Sequence, residues 1–298
     1  MTGTDAAPAE GPWTVALAAH AALGERPVWD ERTGSLVWVD IDAGALHRFT
    51  PGAGDTAVTV ARSAGFVALR ENGGLVFGTE QGFVLADGTG TLREDPIVPP
   101  GMTGDHIFND GAVDPAGRLF AGTVTIDRTP GAAALYRLDP DGSVHTVLPE
   151  VTESNGVDWS ADGRRMYYAD SGGHDVMVFD YDPSDGSVSD GRTLIHVDPD
   201  DGVPDGLIVD GSDNLWIAIW GGSCVRCHHP DGRLLGEFRL PTQHVTCPAF
   251  GGADLTDLYV TSARSELGPG DLEREPHAGD LFVLRPGARG RPVARYRG

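Results

Sequence analysis

Six residues occupy the same place in a repeated unit, and four of them carry oxygen: Glu25, Ala64, Asn109, Asn155, Asp205 and Cys247. Each stands ten or eleven residues ahead of the Leu or Met that opens an apolar strand, at Leu36, Leu75, Leu119, Met166, Leu215 and Leu258. If the fold brings the four oxygen-bearing side chains together, two carboxylates and two carboxamides share one point. Without a cation the carboxylates repel and are poorly hydrated. A hard divalent ion with oxygen ligands resolves that conflict. Asn and Asp also form turns at strand starts, which accounts for any one of them alone. Their shared repeat position argues for a joint role.

The elements that must position them follow from the same repeat. The anchor strands read SLVWVDI, GLVFGTE, RLFAGTV, RMYYADS, NLWIAIW and DLYVTSA, with anchors spaced 39, 44, 47, 49 and 43 residues apart. An apolar stretch precedes each copy and a second strand follows it. A period near 40–50 residues matches a four-stranded antiparallel blade, so the sequence predicts an all-β, six-bladed β-propeller around a central channel. The preceding stretch becomes the inner strand, and its start brings the six equivalent residues to one end of the channel. Residues 13–298 form one domain in this reading, closed by TVALAA at 14–19 lying beside the last blade. Residues 1–12 read as a mobile tail. The second-to-third-strand loops then return to the metal end, the longest near 124–133 and 262–279. The segment 95–108 arrives there too. His106, Asp127, Arg128, His174, Trp220, Arg264 and His277 are therefore candidates for that face.

Composition removes several function classes. The net charge of −22 leaves no basic face for nucleic acid or an anionic membrane. No apolar run approaches the ~18 residues of a membrane span, and no signal peptide is evident. The expectation is a cytoplasmic protein, monomeric or weakly self-associating. Three cysteines are too few for a disulfide framework. Cys224 and Cys227 imitate a zinc motif, but on a strand residues three apart face opposite sides. DPDG at 139–142 reads as a hairpin turn rather than a calcium loop. Nucleotide-binding and serine-hydrolase motifs are missing.

Five segments carry a family resemblance: LGERPVWD (23–30), FNDGAVDPAGRLFAGT (108–123), SNGVDWSADGRRMYYADS (154–171), PDGLIVDGSDNLWIA (204–218) and CPAFGGADLTDLYVTSAR (247–264). Together they resemble the senescence-marker-protein/gluconolactonase (regucalcin-like) family over roughly residues 17–298. The resemblance implies a six-bladed propeller that hydrolyses a small-molecule sugar-acid lactone with calcium, zinc, manganese or ferrous iron. It implies Glu25, Asn155 and Asp205 as metal ligands, with Asp205 also the general base. It implies Asn109 as a substrate contact or fourth ligand.

The departures concern substrate. The family commonly has Arg-Phe-Asn-Asp where this chain has Ile107-Phe108-Asn109-Asp110, so an apolar side chain replaces a substrate-gripping arginine. Asp127 stands for a family glutamate, and Arg26 follows Glu25 where a small residue is usual. The expected substrate-binding set is Asn109, Ile107, Asp127, His106 and Arg26. Two other readings use the same metal constellation: a phosphotriesterase-like hydrolase, and a non-catalytic calcium-binding propeller.

Overall fold

The computed structural model describes residues 13–298, so the tail expected at 1–12 lies outside the described residues. Six antiparallel sheets follow one another as the six blades of a propeller. Their inner strands are Gly24–Asp30, Ala64–Leu69, His106–Val113, Ser154–Trp159, Val203–Val209 and Val245–Gly251. Five sheets have four strands and the second has three. Where that blade's fourth strand is expected, residues 92 and 97 make only isolated bridges to Ala86 and Phe83. Pro96, Pro99 and Pro100 crowd that stretch, and proline cannot donate to a ladder. Thr14–Leu17 pairs with Leu281–Leu284 and completes the last blade, closing the ring as expected.

Most residues of the inner and anchor strands are buried, because each blade packs against two neighbours. Six buried clusters result, one between every adjacent pair of blades. Phe66, Phe83 and Phe108 meet between the second and third, and Phe120, Trp159 and Tyr181 between the third and fourth. Each such ring contributes about 1.5–3 kcal/mol by burial. Cys224 and Cys227 fall into different clusters on opposite faces of one sheet, unpaired and buried, which excludes a shared zinc. The DPDG segment is a tight hairpin turn with Gly142 at φ +86°.

The C-terminal segment crosses the lower end of the channel. Its backbone bonds Gly211, Leu255, Leu69 and Gly117, Arg291 donates to the Trp159 carbonyl, and Arg295 pairs with Asp30. These contacts reach all six blades. The upper end carries the long loops, including the one-turn helix Pro269–Arg274. Among the described residues no helix is long and apolar enough to cross a membrane.

Candidate active site

Every inner strand carries a β-bulge at the level of the six equivalent residues. The register against the anchor strand slips between Glu25 and Val28, Ala64 and Phe66, Ser154 and Val157, Pro204 and Leu207, and Val245 and Pro248. In the third blade it slips between Phe108 and Gly111. A bulge re-aims side chains and twists the strand. Glycine follows the equivalent residue in three blades because the strands nearly touch there. A Cβ on Gly65 would sit 2.0 Å from the Phe108 carbonyl oxygen, and one on Gly206 would meet Cys247 Sγ at 2.4 Å. Carboxylates at the ends of anchor strands fix the entry to the inner strands. Asp40 accepts from the backbone N–H groups of Ala22 and Leu23, and Asp170 from those of Thr152 and Glu153.

These constraints open a cavity of about 600 Å³ at the upper end, with Glu25, Asn109, Asn155 and Asp205 among its lining residues. Glu25, Asn155 and Asp205 are buried. Asn109 donates its amide to the Ser154 carbonyl at 2.9 Å, and Asn155 donates to Ser171 Oγ at 3.1 Å. Ser171 in turn donates to the Pro204 carbonyl. With the amide nitrogens tied back, the carbonyl oxygens remain, and Asn155 Oδ1 is buried with no hydrogen-bond partner.

Burial pushes the Glu25 carboxyl well above the usual range, and repulsion from Asp205 and Asp110 adds to it. Burial does the same to Asp205, helped by Glu153 and Asp110. Among the described residues no three His, Cys, Asp or Glu side chains form a metal cluster. The set is instead two carboxylates and two carboxamides. An orphaned amide oxygen beside two destabilised carboxylates fits a hard divalent cation. Glu25, Asn155, Asp205 and Asn109 are the residues that could hold one.

Ile107 also lines the cavity, as do Arg128, His174 and Trp220. Trp220 stacks on His244 with ring centroids 3.9 Å apart, which fixes its orientation. Three residues expected at the substrate are placed elsewhere. His106 is sealed into the loops, its ring bonded to the Ala132 carbonyl and Thr103 Oγ1. Asp127 is exposed and spends its carboxylate on the backbone and hydroxyl of Thr129, which hold it below the usual range. Arg26 points down the channel into a separate cavity of about 270 Å³. Its backbone adopts φ +40° and its Nε lies 3.5 Å from Asp110. Arg264 and His277 do not line the upper cavity either; His277 is engaged with Asp280.

Glu153, Asp42, Ser171 and Glu266 line the cavity without having been expected there. The repeat could have found Glu153. It stands two residues before Asn155, as Leu23, Ile107 and Val203 stand two before Glu25, Asn109 and Asp205. Those four side chains form a second tier above the oxygen-bearing one.

Residues 23–264 match the family model described as the SMP-30/Gluconolactonase/LRE-like region. The chain is 39% identical over 279 residues to the pentonolactonase XacC of Haloferax volcanii, covering 92% of this chain and 94% of that one. It is 37% identical over 288 residues to regucalcin of Danio rerio, covering 93% and 95%. A crystal structure of regucalcin from Agrobacterium tumefaciens, titled a calcium-binding protein, superposes with a TM-score of 0.90 at 27% identity, covering 95% and 97%. The extent of the match agrees with the blade count. The chain belongs to the SMP-30/gluconolactonase/LRE-like family.

Proposed function

We propose that the protein hydrolyses a sugar lactone to its hydroxy acid at the upper end of the channel, with a divalent cation held by Glu25, Asn155 and Asp205 and with Asn109 as a fourth or outer ligand. Lactonase relatives support the reaction class. The observation that carries the site is the buried, unpartnered Asn155 Oδ1 in a cavity shared with two carboxyls whose pKa values are raised. A bound cation supplies Lewis-acid polarisation of the lactone carbonyl and lowers the pKa of a neighbouring water.

The chain's own residues do the rest. Asp205 takes the proton of the water that adds to the carbonyl carbon, and returns it to the ring oxygen as the C–O bond breaks. Burial makes Asp205 a stronger base than a solvated carboxylate. Asn109 and Asn155 orient oxygens without adding charge, and their tied amide groups keep them from turning. Ile107 and the other aliphatic side chains of the upper tier restrict water around the reacting centre.

The cation makes a pH-dependent prediction. In the metal-free protein Glu25 and Asp205 retain protons that the unfolded chain releases, so their contribution to stability falls as pH rises above the ordinary carboxyl range. The cation binds the ionised pair. Adding it to chelated protein is therefore expected to raise Tm little near about pH 5 and increasingly toward about pH 8. Melting curves at both pH values check this, and a shift that shrinks with pH would remove the carboxylates as ligands.

Ile107 gives a second prediction. An aliphatic wall where the family resemblance implies a guanidinium leaves polyol hydroxyls on that side without a donor, and an unpaired polar partner costs more than a lost methylene contact. Gluconolactone is expected to be a poor substrate beside smaller or deoxygenated five-membered lactones. The XacC likeness supports the same choice. Ile107→Arg is expected to shift the kcat/KM ratio toward gluconolactone by about tenfold or more. A wild-type enzyme that strongly prefers gluconolactone would remove Ile107 as a determinant.

The calcium-binding description of the Agrobacterium regucalcin supports a second reading, a propeller that binds calcium without turnover. Asp205→Asn separates the two, because the substitution keeps an oxygen ligand and removes the base.

A further inference from the structure

Four residues of the upper tier line the cavity, and one of them differs from the rest. Leu23, Ile107 and Val203 present aliphatic side chains, and Glu153 alone presents a carboxylate. Glu153 is firmly placed. Its N–H donates to Asp170 Oδ1 at 3.0 Å, its carbonyl accepts from the Ser171 N–H at 3.0 Å, and the residue bridges to Val124. Its side chain is 22% exposed and accepts no hydrogen bond from the described residues.

Among the described residues the cation nearby is Arg128, with Nε at 3.7 Å, beyond hydrogen-bond distance. Arg128 is 57% exposed and donates through Nη2 to Glu266 at 3.2 Å. Its charge is therefore both screened by solvent and shared with a second carboxylate.

The charges around the cavity point the same way. If a divalent ion cancels Glu25 and Asp205, three carboxylates remain against one guanidinium: Asp42, Glu153 and Glu266 against Arg128. Asp42, Glu266 and Arg128 sit at the exposed rim, whereas Glu153 stands directly above the oxygen-bearing tier. Its carboxylate oxygens remain free to accept hydrogen bonds from a ligand. A second negative charge brought into this space meets three carboxylates against one guanidinium, and each like-charge contact costs binding.

We infer that Glu153 is a specificity-determining residue: it accepts hydrogen bonds from the hydroxyls of a neutral lactone and excludes lactones that carry a carboxylate of their own. The inference rests on the upper cavity being the lactone site and names the substrate class for it. It complements Ile107, which removes the donors that would have held an anionic substituent from the neighbouring blade. It also means that the hydroxy acid, which gains a carboxylate on ring opening, leaves a cavity that disfavours it.

The test pairs equilibrium binding with turnover. Calorimetry on metal-loaded wild type and Glu153→Gln uses a non-hydrolysable cyclic polyether polyol, and the analogue in which one CH2OH is oxidised to a carboxylate. Wild type is expected to bind the neutral compound at least about tenfold more tightly than the anionic one. Glu153→Gln, which keeps shape and one acceptor oxygen, is expected to shrink that preference severalfold, chiefly by tighter binding of the anionic compound. The kcat/KM ratio for a neutral lactone and its carboxylated counterpart should move in parallel. Equal wild-type affinity for the two compounds, or a preference untouched by Glu153→Gln, would overturn the inference. Absence of turnover on every lactone, with the binding preference intact, would instead overturn the lactonase reading and leave Glu153 as a selector of neutral ligands.

Discussion

Replacing Asp205 with alanine is expected to lower kcat by at least ~10²–10⁴-fold, the usual worth of a general base. The loss should be larger than that of any other single residue in the cavity, because the proposal gives Asp205 two roles. It would supply a ligand oxygen to the cation, and it is the proposed base, its carboxyl raised by burial. Asp205→Asn tests these roles apart. It should retain much of the cation-induced rise in Tm and lose turnover nearly as completely as Asp205→Ala. Steady-state rates and melting curves on the same preparations give both readouts. Asp205→Asn with near-normal kcat would remove Asp205 as the base.

Arg26→Ala is expected to destabilise the fold by about 3–5 kcal/mol, the cost of stripping a buried carboxylate of its cation. Arg26 and Asp110 are both almost fully buried, 3.5 Å apart in the channel below the candidate metal site. Burial already raises the Asp110 carboxyl, and Arg26 opposes that rise. Without Arg26, Asp110 must either stay charged and unpaired or take up a proton. Arg26→Ala with Asp110→Asn should recover much of the loss, since no uncompensated charge then remains. Denaturant melts of the single and double variants measure this. KM for the lactone should change little in the double variant, because Arg26 does not line the upper cavity. A large KM increase without loss of stability would return Arg26 to the substrate site.

The blade count, the closure by the strand at residues 14–17 and the convergence of Glu25, Asn109, Asn155 and Asp205 were legible in the sequence. Each depends on a repeat that the chain states six times. A propeller turns equal positions in the repeat into equal heights along one axis, so aligning the copies is enough to find a shared tier. Glu153 could have been found by the same comparison two residues earlier. Arg26 could not be placed that way. The bulge that gives Glu25 its direction turns the next residue toward the lower channel, and no periodicity marks a bulge. His106 and Asp127 were misplaced for a different reason. Loop residues near a site carry no register, and both satisfy their hydrogen bonds within their own loops. The second blade lost its fourth strand to prolines whose effect on a ladder was readable but was outweighed by the expectation of equal blades.

The central claim is that lactone hydrolysis takes place at a divalent cation held by Glu25, Asn155 and Asp205. The most direct measurement is acid release from a panel of neutral sugar lactones by chelated wild type, with calcium, zinc, manganese or ferrous iron restored one at a time, beside Glu25→Gln treated identically. The account predicts no release above background after chelation, recovery with at least one of these ions, and a higher cation concentration for half-recovery in Glu25→Gln. Full activity in chelated protein shown by elemental analysis to be metal-free would contradict it.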